Sequence, residues 1–180
     1  MTEPTVGPEE SSAGRHLENL GFRVELLRND VDAGACARIM ATSEPWITLG
    51  RSYDASLEIL QDPTREVHVL KRGSDVVGFM ILNMRGAFIG YIQTIALRED
   101  CRSQGLGTLL IELAEERIFR EAPNVFLCVS SFNERARKLY ERLGYKVVGE
   151  LEDFIVAGYS EWLLRKTREP IAGFTVPERE

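Results

Sequence analysis

From Phe22 to Leu27 apolar and polar residues alternate with the period of two that marks a half-buried strand. Asn29 and Asp30 then offer capping side chains for a helix through about Met40, and a second short helix is expected from about Ser52 to Leu60. Three strand signals follow: Glu66 to Lys71, Asp75 to Asn83 after the turn Arg72-Gly73-Ser74, and Ala87 to Leu97 after Arg85-Gly86. Turns this short make neighbouring strands antiparallel. Leu106, Leu109, Leu110, Leu113, Ala114 and Ile118 then fall on one helical face, which must end before Pro123. Val125 to Val129 reads as a short apolar strand. Ala136, Leu139, Tyr140 and Leu143 form another helical stripe, closed by Gly144. Lys146 to Leu151 and Ala157 to Arg165 supply the last two strands.

This order predicts an α+β fold, mostly antiparallel, with about seven strands and about four helices. The strand, helix, strand passage over residues 87–129 is a crossover, which requires a locally parallel pair. Met1 to Gly14 is acidic and rich in Pro, Gly and Ser, so residues 1–20 are expected to form a flexible arm. Residues 21–167 then form one domain, and residues 168–180 a charged tail. Apolar runs such as Val76 to Leu82 fall far short of the roughly 20 residues a membrane span needs. The N-terminal segment has neither the basic start nor the apolar centre of a secretory signal, so a cytoplasmic protein is expected.

Charge narrows the partners. Twenty-two Lys and Arg against 28 Asp and Glu give a net charge of −6, which repels nucleic acid and anionic lipid alike. Cys36, Cys101 and Cys128 are odd in number and contain no CxxC pair, as expected of reduced, packed thiols. His16 and His68 lie in no metal-ligand spacing, and no metal is expected.

The chemistry concentrates between Gln93 and Thr108, where a strand runs through a glycine-containing loop directly into a helix. Unpaired amides at such a helix start form an anion cradle. An NTPase loop would need Lys after its last glycine, and Thr108 stands there; a dinucleotide turn would need a third glycine where Leu110 stands. What remains is R-x-x-G-x-G, made by Arg102, Gly105 and Gly107, an ordinary helix-start turn unless context says otherwise. The context comes 26 residues after Gly107, with Asn133-x-x-Ala136-x-x-Leu139-Tyr140-x-x-Leu143-Gly144-Tyr145. Together these segments resemble the two signatures of the GNAT superfamily of acyl-CoA-dependent N-acyltransferases, and the resemblance covers about residues 21–167.

The resemblance implies a GNAT-like sheet with a splayed parallel pair, and acetyl-CoA as acyl donor to an amine. It implies that the backbone of Ile95, Ala96 and Leu97 aligns the pantetheine and acyl carbonyl. The diphosphate would rest on amides of Arg102, Ser103, Gln104, Gly105, Leu106, Gly107 and Thr108, with charge from Arg102 and Arg98. Tyr140 resembles the family's general acid for the departing sulfur, against a reading as helix packing. Asn133 resembles the residue that hydrogen-bonds the pantetheine arm, against a reading as helix cap beside a Ser131–Glu134 capping box. Arg135, Arg137 and Lys138 lie near enough to meet the ribose phosphate, or are simply solvated.

Acceptor-side candidates are Trp46, Tyr53, Tyr91, Gln93 and Tyr159, with Trp46 read more readily as closing the core. Tyr91 and Gln93 occupy the strand where some family members carry a carboxylate base, so the base is open among Glu152, Asp153, Glu161 and a water chain ending at Tyr91 or His68. The expected acceptor is a primary amine of a small or amino-acid-like molecule. The ending Tyr159-Ser-Glu-Trp-Leu-Leu-Arg-Lys is also similar to ribosomal-protein alanine N-acetyltransferases, and an acyl-CoA-binding module without turnover is the rival of another class. The partners expected are therefore acetyl-CoA and an amine, not nucleic acid or membrane; a homodimer is compatible with all of this.

Overall fold

The computed structural model describes residues 11–176. Its elements are α1 (Ser12–Asn19), β1 (Arg23–Leu26), α2 (Asp30–Ala41), α3 (Tyr53–Leu60), β2 (Glu66–Arg72), β3 (Asp75–Asn83), β4 (Tyr91–Leu97), α4 (Leu106–Ile118), β5 (Asn124–Ser130), α5 (Glu134–Arg142), β6 (Lys146–Leu151) and β7 (Glu161–Thr167). The strands form one open sheet in the order β1-β2-β3-β4-β5-β7-β6. All neighbours are antiparallel except β4 and β5, which are parallel.

Apolar residues on both sides of the sheet make two cores. On one face α1 and α4 bury Leu17, Leu106, Leu110 and Ile118 against Leu70, Met80, Leu82, Val125, Leu127 and Val129, and α5 packs at the margin through Leu139 and Tyr140. On the other, α2 and α3 cover the first half of the sheet with Cys36, Ala37, Met40 and Leu60 against Val67, Val69, Phe79, Ile81 and Ala96. Asn29, Ser52 and Asn133 cap α2, α3 and α5, each side-chain oxygen accepting an amide of the first turn. α4 has no side-chain cap.

The pair β4–β5 touches only at its start, where Tyr91 faces Phe126 and Ile92 faces Leu127. Gly90 fixes that point. Its φ is +87°, and a Cβ there would lie 2.5 Å from the Asn124 carbonyl oxygen and 2.4 Å from Ile118 Cγ2. Only glycine lets the two backbones approach so closely. Its carbonyl accepts the Phe126 amide at 2.9 Å. Beyond this contact β5 stays paired with β7 as far as Ser130 opposite Glu161, while β4 stays with β3. The strands therefore part, leaving a wedge that opens toward their C-terminal ends. A register shift on β3 between Ile81 and Leu82 leaves Gln93 as the extra residue of β4.

Three expectations are corrected. The arm over residues 1–20 is overturned for Ser12–Asn19, which is a helix. Ser11 accepts the Gly14 amide at 2.7 Å, and Ala13 and Leu17 are buried under α4. With only two apolar anchors in eight residues, its periodicity is too sparse to read; residues 1–10 lie outside the described part. The strand expected from Ala87 begins at Tyr91, because Ala87–Gly90 is a turn with Phe88 and Ile89 exposed. The last strand begins at Glu161 rather than Ala157, since residues 156–159 close a turn. The tail is described to residue 176, and Arg168 at its start stacks on Phe119 at 4.1 Å.

Candidate active site

The wedge and the start of α4 lie at the same end of the sheet, because β4 runs straight into the loop that begins the helix. In that loop Glu99–Cys101 makes one tight turn, Ser103 takes φ +64°, and Gly105 takes φ +82° as the residue before α4. The left-handed geometry at Gly105 suits glycine. The Gly105 carbonyl accepts the amides of Thr108 and Leu109 at 3.0 and 3.2 Å. The amides of Leu106 and Gly107, the first of the helix, have no carbonyl a turn earlier to meet and point outward at its positive end. A Cβ at Gly105 would meet nothing within 4 Å, and one at Gly107 only Leu97 Cδ1 at 3.8 Å. The surface is open at both glycines, and nothing caps the helix: this is an anion cradle fit for a diphosphate.

Arg102, expected to lend charge to the cradle, has partners within the fold. Its Nε donates to the Leu97 carbonyl at 3.0 Å and its Nη2 to Ser43 Oγ at 2.8 Å. Leu97 ends β4 on the edge that β5 has left, so its carbonyl lacks a ladder donor and the guanidinium supplies one. Arg98 is likewise held, through two bonds to Asp100 of 2.6 and 2.8 Å. Gln104 donates to the Asp100 carbonyl. The cation at the rim is Arg135 of α5, whose Nη2 donates to Ser103 Oγ at 2.8 Å.

Along β4 the amide of Arg98 reaches the Val77 carbonyl on β3. Backbone groups alternate in direction, so those of Ile95 and Leu97 face the wedge while that of Ala96 faces β3. Ile95 and Leu97 also turn their side chains toward the α4 face, and Ala96 is buried on the other. Across the wedge, Asn133 caps α5, its Oδ1 accepting the Ala136 amide at 3.2 Å. Asn133 thus takes the capping role itself, in place of the Ser131–Glu134 box, and its side-chain NH2 is not used by the cap. Tyr140, two turns along, stacks edge-on against Tyr145 at 5.7 Å. No group among the described residues hydrogen-bonds its hydroxyl, and burial pushes its pKa up to about 12. It remains a proton donor throughout the neutral range.

The opposite face of the wedge has a different chemistry. Val125, Leu127 and Val129 point to α4, so Phe126, Cys128 and Ser130 point away, together with Tyr91 and Glu161. Burial, the neighbouring Cys128 and the charge of Glu161 all hold Tyr91 protonated. Glu161 is 3% exposed, and burial raises its pKa, the neighbouring Ser130 acting in the opposite direction. Aromatic pairs flank this floor: Phe88 on Phe126 and Phe132 on Tyr159, both edge-on at 5.0 Å. The Ser131 amide donates to the Ser160 carbonyl at 2.8 Å and ties the second pair's loops together.

The other candidates have the following surroundings. Trp46 packs on the α2–α3 core, and the Tyr53 hydroxyl lies against Gly34 of α2. Gln93 accepts from Asn83 at 3.3 Å. Glu152 and Asp153 are exposed in the β6–β7 turn. His68 sits beneath α4 with Glu66 at 2.6 Å, lining a cavity of about 840 Å³ that shares no residue with the cradle. Sequence reasoning missed Ser43, Cys128 and Ser130, because their roles depend on strands and loops far apart in the chain.

A model of the acetyltransferase (GNAT) family matches residues 35–145. The chain belongs to that family. Its members are acetyltransferases that draw the acetyl group from acetyl-CoA, and the cradle, wedge and Tyr140 all lie within the matched residues. No curated protein sequence matches the chain. Among solved structures, an aminoglycoside 6'-N-acetyltransferase complexed with coenzyme A is similar at 18% identity and TM-score 0.64, over 82% of this chain and 97% of that one. The ribosomal-protein-S18-alanine N-acetyltransferase of Escherichia coli is similar at 19% and 0.64, over 81% and 93%. The spermidine/spermine N-acetyltransferase SpeG of Vibrio cholerae is similar at 16% and 0.63, over 83% and 94%. At these identities the likeness is one of fold. None of the described helices is long and apolar enough to cross a membrane.

Proposed function

We propose that this GNAT acetyltransferase moves the acetyl group of acetyl-CoA to a primary amine of a small cationic molecule, by direct attack in a ternary complex. The carrying observation is that one wedge between β4 and β5 joins an anion cradle on the α4 face to an acidic, aromatic floor on the other. The diphosphate rests on the first amides of α4, with Arg135 at the rim. The pantetheine arm runs along the free edge of β4, paired with the backbone of Ile95 and Leu97 and with the Asn133 amide. The acetyl group then stands in the wedge, open to an amine from the far face. The amine nitrogen bonds the carbonyl carbon, the C–S bond breaks, and Tyr140 protonates the departing sulfur.

The acceptor side favours a cation. Two aromatic pairs and a buried carboxylate suit an alkylammonium better than a neutral or anionic group. Among the similar folds, one is named for an aminoglycoside and one for spermidine, both polyamines. The test is thiol release from acetyl-CoA with spermidine, an aminoglycoside and an alanine-initiated peptide. Turnover with either polyamine is expected. Turnover confined to the peptide would move the protein to N-terminal acetylation, and coenzyme binding with none of the three would leave a binding module.

A further inference from the structure

Among the described residues, Glu161 is the carboxylate on the floor of the wedge, and no cation is paired with it. It stands at the first residue of β7, opposite Ser130 of β5, on the face away from α4. Its residue exposure is 3%, and its Oε1 is buried without a hydrogen-bond partner. The titratable groups facing it are Tyr91 from β4 and Cys128 from β5, both uncharged in this setting. β6 places Leu151 opposite it. Among the described residues no lysine or arginine forms an ion pair with it.

A buried carboxylate without a cation is costly, and a protein that keeps one at the mouth of a reacting site uses it on a ligand. We propose that Glu161 receives the ammonium of the acceptor, directly or across one water, and takes its proton before the amine attacks. This rests on the function proposed above and completes it. The strand β4 offers Tyr91 and Gln93 where a carboxylate base could stand, and β7 supplies one from across the wedge instead. The balance is simple. One N–H proton passes to the carboxylate oxygen, and the neutral nitrogen keeps its lone pair for the carbonyl carbon. The C–S electron pair leaves with sulfur, and Tyr140 protonates it. The second nitrogen proton returns the Tyr140 hydroxyl to its neutral form through solvent, and Glu161 releases its own proton to water. Burial raises the carboxyl pKa toward that of a useful base.

The test compares Glu161→Gln and Glu161→Asp with the parent enzyme, on whichever amine of the panel turns over, from pH 6 to 10. Glu161→Gln should lower kcat/KM by roughly 10²-fold near neutral pH, the lower end of what a positioned base contributes. The deficit should shrink as pH rises, because solvent then delivers the neutral amine. Glu161→Asp should recover part of the rate, and coenzyme affinity should be unchanged in both. Folding is checked separately. A raised carboxyl pKa means ionisation works against the fold above that pKa, so Glu161→Gln should unfold at the same or a higher temperature at pH 8. A loss that is the same at every pH, or no loss, overturns the proposal while leaving the acetyltransferase reading intact. Should the parent turn over none of the amines, calorimetry with spermidine on the coenzyme-bound protein decides. Binding that Glu161→Gln abolishes supports the site, and binding it leaves unchanged, or no binding to the parent, overturns it.

Discussion

Tyr140 combines a packed ring with an unpartnered hydroxyl. Its ring lies in the apolar stripe of α5 and against Tyr145, which is packing, but its hydroxyl has no partner and its pKa is pushed up to about 12 by burial. A group so placed is protonated when sulfur departs and has no competing acceptor. Tyr140→Phe keeps the ring and removes only the oxygen, so stability and coenzyme affinity should persist while kcat falls about 10²–10⁴-fold. Rates within about twofold of the parent, with chemistry rate-limiting, would make Tyr140 a packing residue. Asn133 and Arg102 each have a structural partner within the fold. Arg102 completes the backbone hydrogen bonding where β4 loses its neighbour, and Asn133 caps α5 with its side-chain oxygen. The cap is a local contact that the sequence offers, whereas the bond of Arg102 to Ser43 joins segments far apart in the chain, which no local spacing encodes.

At the level of elements, the sequence was most legible where period and punctuation agreed. α4 was expected over the stripe from Leu106 to Ile118 and has those bounds, and β3 was expected from Asp75 to Asn83 and has those too. The strand over 87–90 failed because Ala-Phe-Ile between two glycines is apolar enough for a strand yet is held in an exposed turn by left-handed Gly86 and Gly90. The cradle was legible because its chemistry is backbone chemistry, signalled by the glycines that make room. That yields a direct test. Gly107 has ordinary backbone angles and a Cβ there touches only Leu97 Cδ1, so Gly107→Val should fold. Its methyls would occupy the space before the first amides of α4. Coenzyme affinity should drop by at least tenfold with melting temperature nearly unchanged, read by calorimetry and thermal unfolding. Undiminished affinity in folded protein would remove the diphosphate from this helix.

The molecule as a whole is a sheet whose two ends do different work, one parted for chemistry and the other locked. α1 belongs to the locked end. Leu17 is fully buried against α4, so Leu17→Ala should cost roughly 2–5 kcal/mol, as expected for a large-to-small change in a core. A loss below about 0.5 kcal/mol in denaturant unfolding would return residues 12–19 to the status of an appendage.

A polar lock closes the same end. Arg117 of α4 makes two 2.8 Å bonds to Glu66 of β2, and His68 holds the same carboxylate at 2.6 Å. Burial alone would raise the Glu66 pKa, but these partners outweigh it and bring it down to about 2 from an ordinary 4.5. The sign follows from that direction. Ionised Glu66 stabilises the fold in full above its unfolded pKa, and the contribution drains away as pH falls from about 4.5 through about 2. Glu66→Gln strands the Arg117 charge, which keeps only the half-exposed Glu121 at 2.9 Å, and should cost about 3 kcal/mol at pH 7. The difference from the parent should narrow steadily below pH 4.5, because the parent is then losing the same interaction. Since the lock lies in the cavity remote from the cradle and Tyr140, kcat at pH 7 and a permissive temperature should be preserved. Urea midpoints at pH 7, 5 and 3 measure the first effect and thiol release the second. A stability gap as wide at pH 3 as at pH 7 would mean that the carboxylate's charge is not what closes this end of the sheet.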